Sequence, residues 1–329
     1  MDMYAQIVRD ALVAVADKHF QGQPVRSVLR DGLGLPDAFV QQRLQQGLVH
    51  IGSVLATPDT AVLAGQKIWL TGGVEEESGV DEADVQRVAT YAPPIDVLHE
   101  DDHLLVINKP AGLLVYPGSA ADTDTLAHRV AAYYAAQGVR RRVWHVHRLD
   151  RDTTGAILYA KHAYSARALD GMLADRRIHR DYLALVTGTP SPRAGIIDLS
   201  IGRDRHVAGR YRVSTTGKSA ITQYRTLASE QLANGAISLV GCTLTTGRTH
   251  QIRVHFAARG HAVIGDTLYG GGEGVGNLRF AQGQALHAHQ IQLVHPYDLG
   301  DVRVTAPLTG GLADVVSQFG WQALVAAGD

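Results

Sequence analysis

The run VWHVHRLDRDTTGAILYAK, Val143 to Lys161, places Asp150 between Arg148 and Arg151, directly ahead of a Thr-Thr-Gly turn and a short apolar strand, Ala156 to Ala160. On an exposed helix such an Arg-x-Asp-Arg cluster is a solvated salt-bridge patch worth little. At the entrance to a core strand it offers a carboxylate that needs no tuning to be ionised at neutral pH and that its arginines hold charged. That suits electrostatic or nucleophilic work on an anionic substrate. The rival chemistry is a metal. His145/His147 and His287/His289 are His-x-His pairs whose spacing on a strand puts both imidazoles on one face, and Asp150 would complete a hydrolase site. With 16 histidines in the chain such pairs arise readily, and no cysteine or further carboxylate stands at ligand spacing. No metal is therefore expected.

Cations cluster locally although the formal net charge is only −1. VRRRVWHVHRLDR (Val139 to Arg151), RRIHR (Arg176 to Arg180) and GRDRHVAGRYR (Gly202 to Arg212) are basic, with Trp144, His206 and Tyr211 among them. Phosphates supply affinity to such stretches and splayed bases stack on their aromatics, so the expected partner is RNA in loops or single strands.

The elements that must position these residues fall into two parts. The 329 residues, 45% hydrophobic and 19% charged, suffice for one large domain and one small one. A single cysteine, Cys242, excludes an intramolecular disulfide, and no run of about 18 uninterrupted apolar residues suggests a membrane span. A reduced, cytoplasmic, monomeric protein without a signal peptide is expected. MDMYAQIVRDALVAVADKHF reads as an amphipathic surface helix. Residues 1–73 continue with two helices, VRSVLRDGLGL and PDAFVQQRLQQG, and the strands LVHIGSV and QKIWL. Residues 74–94 carry the acidic cluster Glu75, Glu76, Glu77, Asp81, Glu82 and Asp84, and read as a linker with a short helix near Val85. From residue 95 to 329 strands dominate. HAYSARALDGMLADRR and RTHQIRVHFAARG read as helices, the latter with Thr249 as N-cap and Gly260 as its stop.

Residues 1–73 are similar in arrangement to the S4 RNA-binding module, though their helices offer few cations, chiefly Arg26, Arg30 and Arg43. VHRLDRDTTGAILYAK resembles the signature of the RluA-type pseudouridine synthases. HEDDHLLVINKPAGLLVYPG, RDYLALVTG, GKSAITQYRT, TTGRTHQIRVHFAARGHAVIGDTLYGG and QALHAHQIQLVHP accompany it in that family's order, from about Ile95 to Pro307. The resemblance implies an α+β fold: a pseudouridine synthase catalytic domain with a long bent, mostly antiparallel mixed sheet and flanking helices, preceded by the small S4-like α/β module. The cleft should cross the middle of the sheet.

It also implies a reaction, the isomerisation of uridine in structured ribosomal or transfer RNA, with no metal, nucleotide or flavin. By motif, Asp150 matches the essential aspartate, Tyr182 the tyrosine against the target uracil, and Arg253 the arginine that pairs with the aspartate. Arg148 matches the residue that enters the helix where the flipped base was, and Leu286 an apolar wall of the base pocket. His147, Arg151, Arg180 and Arg248 are expected to contact RNA or the uridine. Asp150 has two routes open to it, attack on C1′ or removal of the 2′ proton. Tyr116, Arg180, Thr267 and Gly283 depart from the residues usual in the family, at places that concern substrate contacts. A catalytically silent RNA-binding or ribosome-assembly protein of the same fold is the alternative.

Overall fold

Instead of a helix, the N-terminus forms a hairpin, β1 (Ala5–Val8) and β2 (Ala11–Val15), turned by Arg9 and Asp10 with Arg9 at φ 57°. The reason is burial. Four of the five residues of ALVAV are buried, because β2 lies between β1 and a later strand, which a helix with one apolar stripe could not achieve. The computed structural model describes residues 3–74, 79–272, 274–275, 278–280 and 283–326. Glu75, Glu76 and Glu77 of the acidic cluster lie outside the described residues.

After the hairpin come α1 (Val25–Leu33), α2 (Asp37–Gln45), β3 (Val49–Ile51), β4 (Val54–Leu55) and β5 (Lys67–Thr71). Val25, Val28, Leu29 and Leu33 form the buried stripe of α1, which ends at Gly34 in the left-handed conformation. The five strands make one small sheet in the order β1-β2-β5-β3-β4. Its core is continuous with Tyr164, Ala168 and Tyr297 from the larger part of the chain. Arg43 stacks on both Phe39 and Tyr164, at 4.8 and 5.6 Å from the ring centroids. Within the acidic segment, α3 (Glu82–Tyr91) is capped by Asp81, which accepts from the Ala83 and Asp84 N–H groups, and buries Val85 and Val88 in the main core.

The larger part is built on β6 (Asp96–Glu100), β7 (Leu104–Lys109), α4 (Leu126–Ala136), β8 (Trp144–His145), β9 (Thr154–Ala160), α5 (Ala163–Ala174) and β10 (His179–Thr187). There follow β11 (Ala194–Asp198), a hairpin of β12 (Ile201–Arg203) and β13 (Tyr211–Val213), the long pair β14 (Ile221–Leu232) and β15 (Gly235–Leu244), and α6 (Gln251–Ala258). A two-stranded ribbon, β16 (Gly274–Val275) and β17 (Leu278–Arg279), precedes β18 (Leu286–Val294), β19 (Asp301–Thr305), α7 (Gly310–Gln318) and α8 (Gln322–Ala326).

Ten strands form one sheet, with β11-β14-β15-β10-β18-β9-β7-β6 in line, β19 on β18 and β8 on β9. Helices cover both faces, which explains the unbroken apolar runs. Leu105 and Ile107 of β7 face the cluster under α3 and α4, while Leu104 and Val106 face the cluster under α5. Every pairing is antiparallel except β9 with β18, which rests on His287 opposite Thr154 and Ala288 opposite Gly155. No helix among the described residues is long and apolar enough to cross a membrane.

Candidate active site

The two halves of the sheet meet at that short parallel contact, and Gly155 makes it feasible. At φ +104°, a Cβ on this residue would stand 2.2 Å from the Ala288 carbonyl oxygen. The Asp150 loop immediately precedes the junction and is pinned from both halves. Thr153 N–H donates to the Asp150 carbonyl at 3.1 Å, and Gln284 Nε2 donates to Thr153 Oγ1 at 3.0 Å. Lys109, fully buried at the end of β7, donates Nζ to the carbonyls of Arg151, Pro110 and Leu113 at 2.7, 2.8 and 2.8 Å. Burial pulls this ammonium down to about 7, while Asp152 and Asp150 act in the opposite direction.

Arg253 arrives from the other side, in the first turn of α6. The helix begins one residue later than expected, with His250 rather than Thr249 at the N-cap, in the left-handed conformation (φ 58°, ψ 23°). The approach to the helix is fixed by Gln251. Its Oε1 accepts from Arg248 N–H and Thr246 Oγ1, and its Nε2 donates to the Ile221 carbonyl and to Thr222 Oγ1. Gly260 stands just past the helix, at φ +78°.

From this position Arg253 Nη1 donates to Asp150 Oδ2 at 2.9 Å. Its Nε and Nη2 donate to the two oxygens of Asp266 at 2.6 and 2.9 Å. Asp266 is fully enclosed, and the ring of Tyr269 covers the guanidinium at 5.1 Å. Burial by itself would lower the Arg253 pKa, but the Asp266 bonds and the Asp150 charge outweigh it and raise it. Asp150, with its side chain 21% exposed, therefore faces the cavity with one oxygen held and the other open.

That cavity, about 470 Å³, crosses the sheet where β10, β18 and the end of β15 come together. Tyr182 of β10 and Leu286 of β18, neighbours on paired strands, supply an apolar wall beside Asp150 and Arg253. Burial raises the Tyr182 hydroxyl pKa. Arg148, Arg180 and Arg248 line the same space, Arg148 and Arg248 being exposed and Arg180 buried. His147 also lies on its wall, turned inward. Its Nε2 accepts from Leu158 N–H at 3.2 Å, and burial lowers its pKa to about 3. Arg151 stands apart, donating Nε to the Gly112 carbonyl at 3.1 Å, on a neighbouring cavity of about 860 Å³ that shares Asp150, Arg148 and Arg253.

Among the described residues no group of three or more His, Cys, Asp or Glu side chains is placed to hold a metal. In the second His-x-His pair, His287 is engaged through Nδ1 with Thr154 Oγ1 and through Nε2 with the Ala306 carbonyl.

Sequence reasoning singled out neither Asp266 nor Lys109, His250 nor Tyr269. Their signal was the motif context: Asp266 and Tyr269 fall in GHAVIGDTLYGG, Lys109 in INKPAGL and His250 beside Arg253 in GRTHQIR.

A family model described as RNA pseudouridylate synthase matches residues 103–258. The Uncharacterized RNA pseudouridine synthase YhcT of Bacillus subtilis is 38% identical over 275 residues, 84% of this chain and 86% of that protein. The Ribosomal large subunit pseudouridine synthase D of Xylella fastidiosa is 36% identical over 83% of this chain and 82% of that one. Among solved structures, Human RNA Pseudouridylate Synthase Domain Containing 1 superposes with a TM-score of 0.55 at 26% identity, covering 70% of this chain and 94% of that one.

Proposed function

The chain belongs to the RluA-type RNA pseudouridine synthases, isomerases of uridine in RNA, and from that membership we propose a substrate and a set of residue roles. The substrate is a uridine of large-subunit ribosomal RNA, the RNA class named in several relatives, of which this chain shares about a third of its residues. Asp150 is the reacting carboxylate. The observation that carries this reading is the 2.9 Å bond from Arg253 to Asp150, made by a guanidinium itself anchored on the buried Asp266.

The reaction breaks the N1–C1′ bond of uridine, turns the uracil within the site and joins C5 to C1′; C5 gives up its proton and N1 ends protonated, so that the product is an isomer of the substrate. Asp150 meets the ribose as a fixed negative charge, aimed by charge-assisted bonding before substrate arrives. Tyr182 lies flat against the uracil and offers its hydroxyl for the C5 proton, and Leu286 closes the apolar side of the base pocket. The base reaches this pocket only after leaving its stack, at a cost of a few kcal/mol, and the exposed Arg148 fills the gap it leaves. Arg248 and Arg151 hold phosphates near the rim, Arg180 places a buried cation against the bound nucleotide, and His147 supports the wall behind them.

Residues 1–73 are the S4-like module and are proposed to help seat the RNA, joined through the acidic segment 74–94 to the catalytic domain, 95–329. Of the three arginines on its helices, Arg26 pairs with Asp59, Arg30 with Asp31, and Arg43 stacks on rings. The electrostatic share of binding accordingly falls to the catalytic domain. The enzyme acts as a cytoplasmic monomer without cofactor. The test is tritium release from large-subunit ribosomal RNA transcripts labelled at uridine C5, with transfer RNA transcripts alongside. Wild type releases tritium from the ribosomal transcripts and Asp150→Ala does not. Release from transfer RNA alone would move the substrate to that class, and release undiminished in Asp150→Ala would remove the aspartate from its role.

A further inference from the structure

His250 is the non-glycine residue nearest the reacting carboxylate to hold a positive φ, 58°. A side chain kept in that region beside a catalytic centre marks a place where the fold maintains a costly conformation. What the conformation achieves is visible in the hydrogen bonds. Tyr211 N–H donates to the Tyr269 hydroxyl oxygen at 2.9 Å, and that hydroxyl lies 2.8 Å from His250 Nδ1. Among the described residues Nδ1 is the acceptor available to the hydroxyl proton, so Nδ1 accepts and the neutral ring carries its proton on Nε2. Burial favours the neutral imidazole as well, and the rings of Tyr211 and Tyr269 hold it edge-on at 5.7 and 5.6 Å. The Nε2–H faces Asp150 Oδ1 at 3.8 Å, beyond a hydrogen bond, while Arg253 occupies Oδ2.

A donor and an acceptor thus converge on one point beside the reacting carboxylate, both without a partner there among the described residues. A group that satisfies both must donate and accept at once, as a hydroxyl does. Within an RNA chain the 3′ and 5′ oxygens of a uridine are esterified, and uracil offers carbonyls and N–H groups, which do one or the other. The 2′-hydroxyl is left, and it adjoins C1′, where the glycosidic bond is exchanged. Resting on the reading of Asp150 as the reacting carboxylate, we propose that His250 and Asp150 together recognise the 2′-hydroxyl of the target uridine, His250 Nε2–H donating to it and Asp150 Oδ1 accepting from it. The pair selects ribose over deoxyribose at the reacting nucleotide, and Tyr269 is the positioning residue that sets the His250 tautomer.

The experiment is a two-way cycle on a large-subunit ribosomal RNA fragment from which wild-type protein releases C5 tritium, built with either uridine or 2′-deoxyuridine at the mapped site. Single-turnover rates are measured for wild type, His250→Asn, His250→Gln and Tyr269→Phe. Asparagine tolerates the left-handed conformation, and glutamine carries an N–H to about the depth of Nε2. Wild type should lose about 10–100-fold on the deoxy substrate. His250→Asn should lose a similar factor on the ribose substrate and little more on the deoxy one, because the two changes remove the same bond. His250→Gln should recover part of the loss, and Tyr269→Phe should lose an intermediate factor with its dependence on the 2′-hydroxyl reduced. Equal deoxy penalties in wild type and His250→Asn would overturn the assignment while leaving the isomerase intact. Absence of wild-type turnover on any ribose substrate would instead overturn the parent reading, and this one with it.

Discussion

Arg253 and Asp266 form a bidentate ion pair at 2.6 and 2.9 Å with side chains only 8% and 1% exposed, and the remaining guanidinium nitrogen is the one that reaches Asp150. The arginine is therefore a rigid strut between a buried carboxylate and an open one. Asp266→Ala should leave a buried guanidinium balanced only by Asp150, costing about 3–5 kcal/mol in urea unfolding. The same change should let Arg253 swing and lower single-turnover isomerisation by about 100-fold or more. An Asp266→Ala protein less than about 1 kcal/mol destabilised would show that water or another group shares the charge.

Gly155 joins the two halves of the sheet with its Cα where any Cβ would meet the Ala288 carbonyl. Gly155→Ala must open the β9–β18 contact, and with it move the loop that begins at Asp150. Loss of several kcal/mol, or failure to accumulate as folded protein, is expected. A folded Gly155→Ala with normal melting temperature and normal tritium release would contradict the 2.2 Å approach on which this rests.

The convergence of Asp150, Tyr182 and Arg253 on one cavity was legible because each sits in a stretch with its own local pattern: a polar turn before a strand, a strand, and a helix start. Asp266 was not legible as a partner of Arg253. The pair is closed by the turn after α6, 13 residues on, and no periodicity encodes which way that turn folds back. Thr249 looked like the N-cap because its type is right; the fold instead uses His250 in a conformation that composition does not favour. The hairpin at the N-terminus fails for a different reason. MDMYAQIVRDALVAVADKHF carries charges at helical spacing, and only the neighbouring β5 decides that ALVAV is buried as a strand. His147, expected from its place in the motif to touch RNA, sits in the bend after β8 and lines the cavity. Its Nε2 accepts from Leu158 N–H, a contact that the motif does not encode.

Arg180 offers a test that separates function from stability. It is 8% exposed, its Nε has no partner and no carboxylate pairs with it among the described residues, yet it lines the cavity. A cation held this way costs the fold and is satisfied only when an anion or carbonyl enters. Arg180→Met should leave the unfolding free energy unchanged or raise it by about 1–2 kcal/mol. It should also lower kcat/KM by about 10–100-fold. A variant that loses both stability and activity would make Arg180 a structural residue of the wall.

Buried histidines govern the response to acid: burial lowers His128, His162 and His255 as well as the three below. Burial lowers His103 and His287 to about 4 and His147 to about 3, from an ordinary value near 6.5. At neutral pH these rings are neutral in both folded and unfolded chains. As pH falls below about 6.5 the unfolded chain takes up protons that the folded protein refuses, so stability is complete above that pH and is lost toward the folded values. Between pH 6.5 and 5 each residue contributes at most about 2 kcal/mol. Burial would raise the Asp101 pKa, but the nearby His295 ring, the His103 and Leu104 N–H groups and the His99 ring depress it, so Asp101 acts only below its ordinary value of 3.8, outside the upper part of this range. Urea unfolding between pH 7.5 and 5 should therefore show stability falling on the acid side of pH 6.5. His147→Gln keeps an acceptor for Leu158 N–H but cannot titrate, so its slope should be shallower by the uptake of about one proton. An unchanged slope in that variant would mean that the His147 ring is protonated as readily in the folded protein as in the unfolded chain.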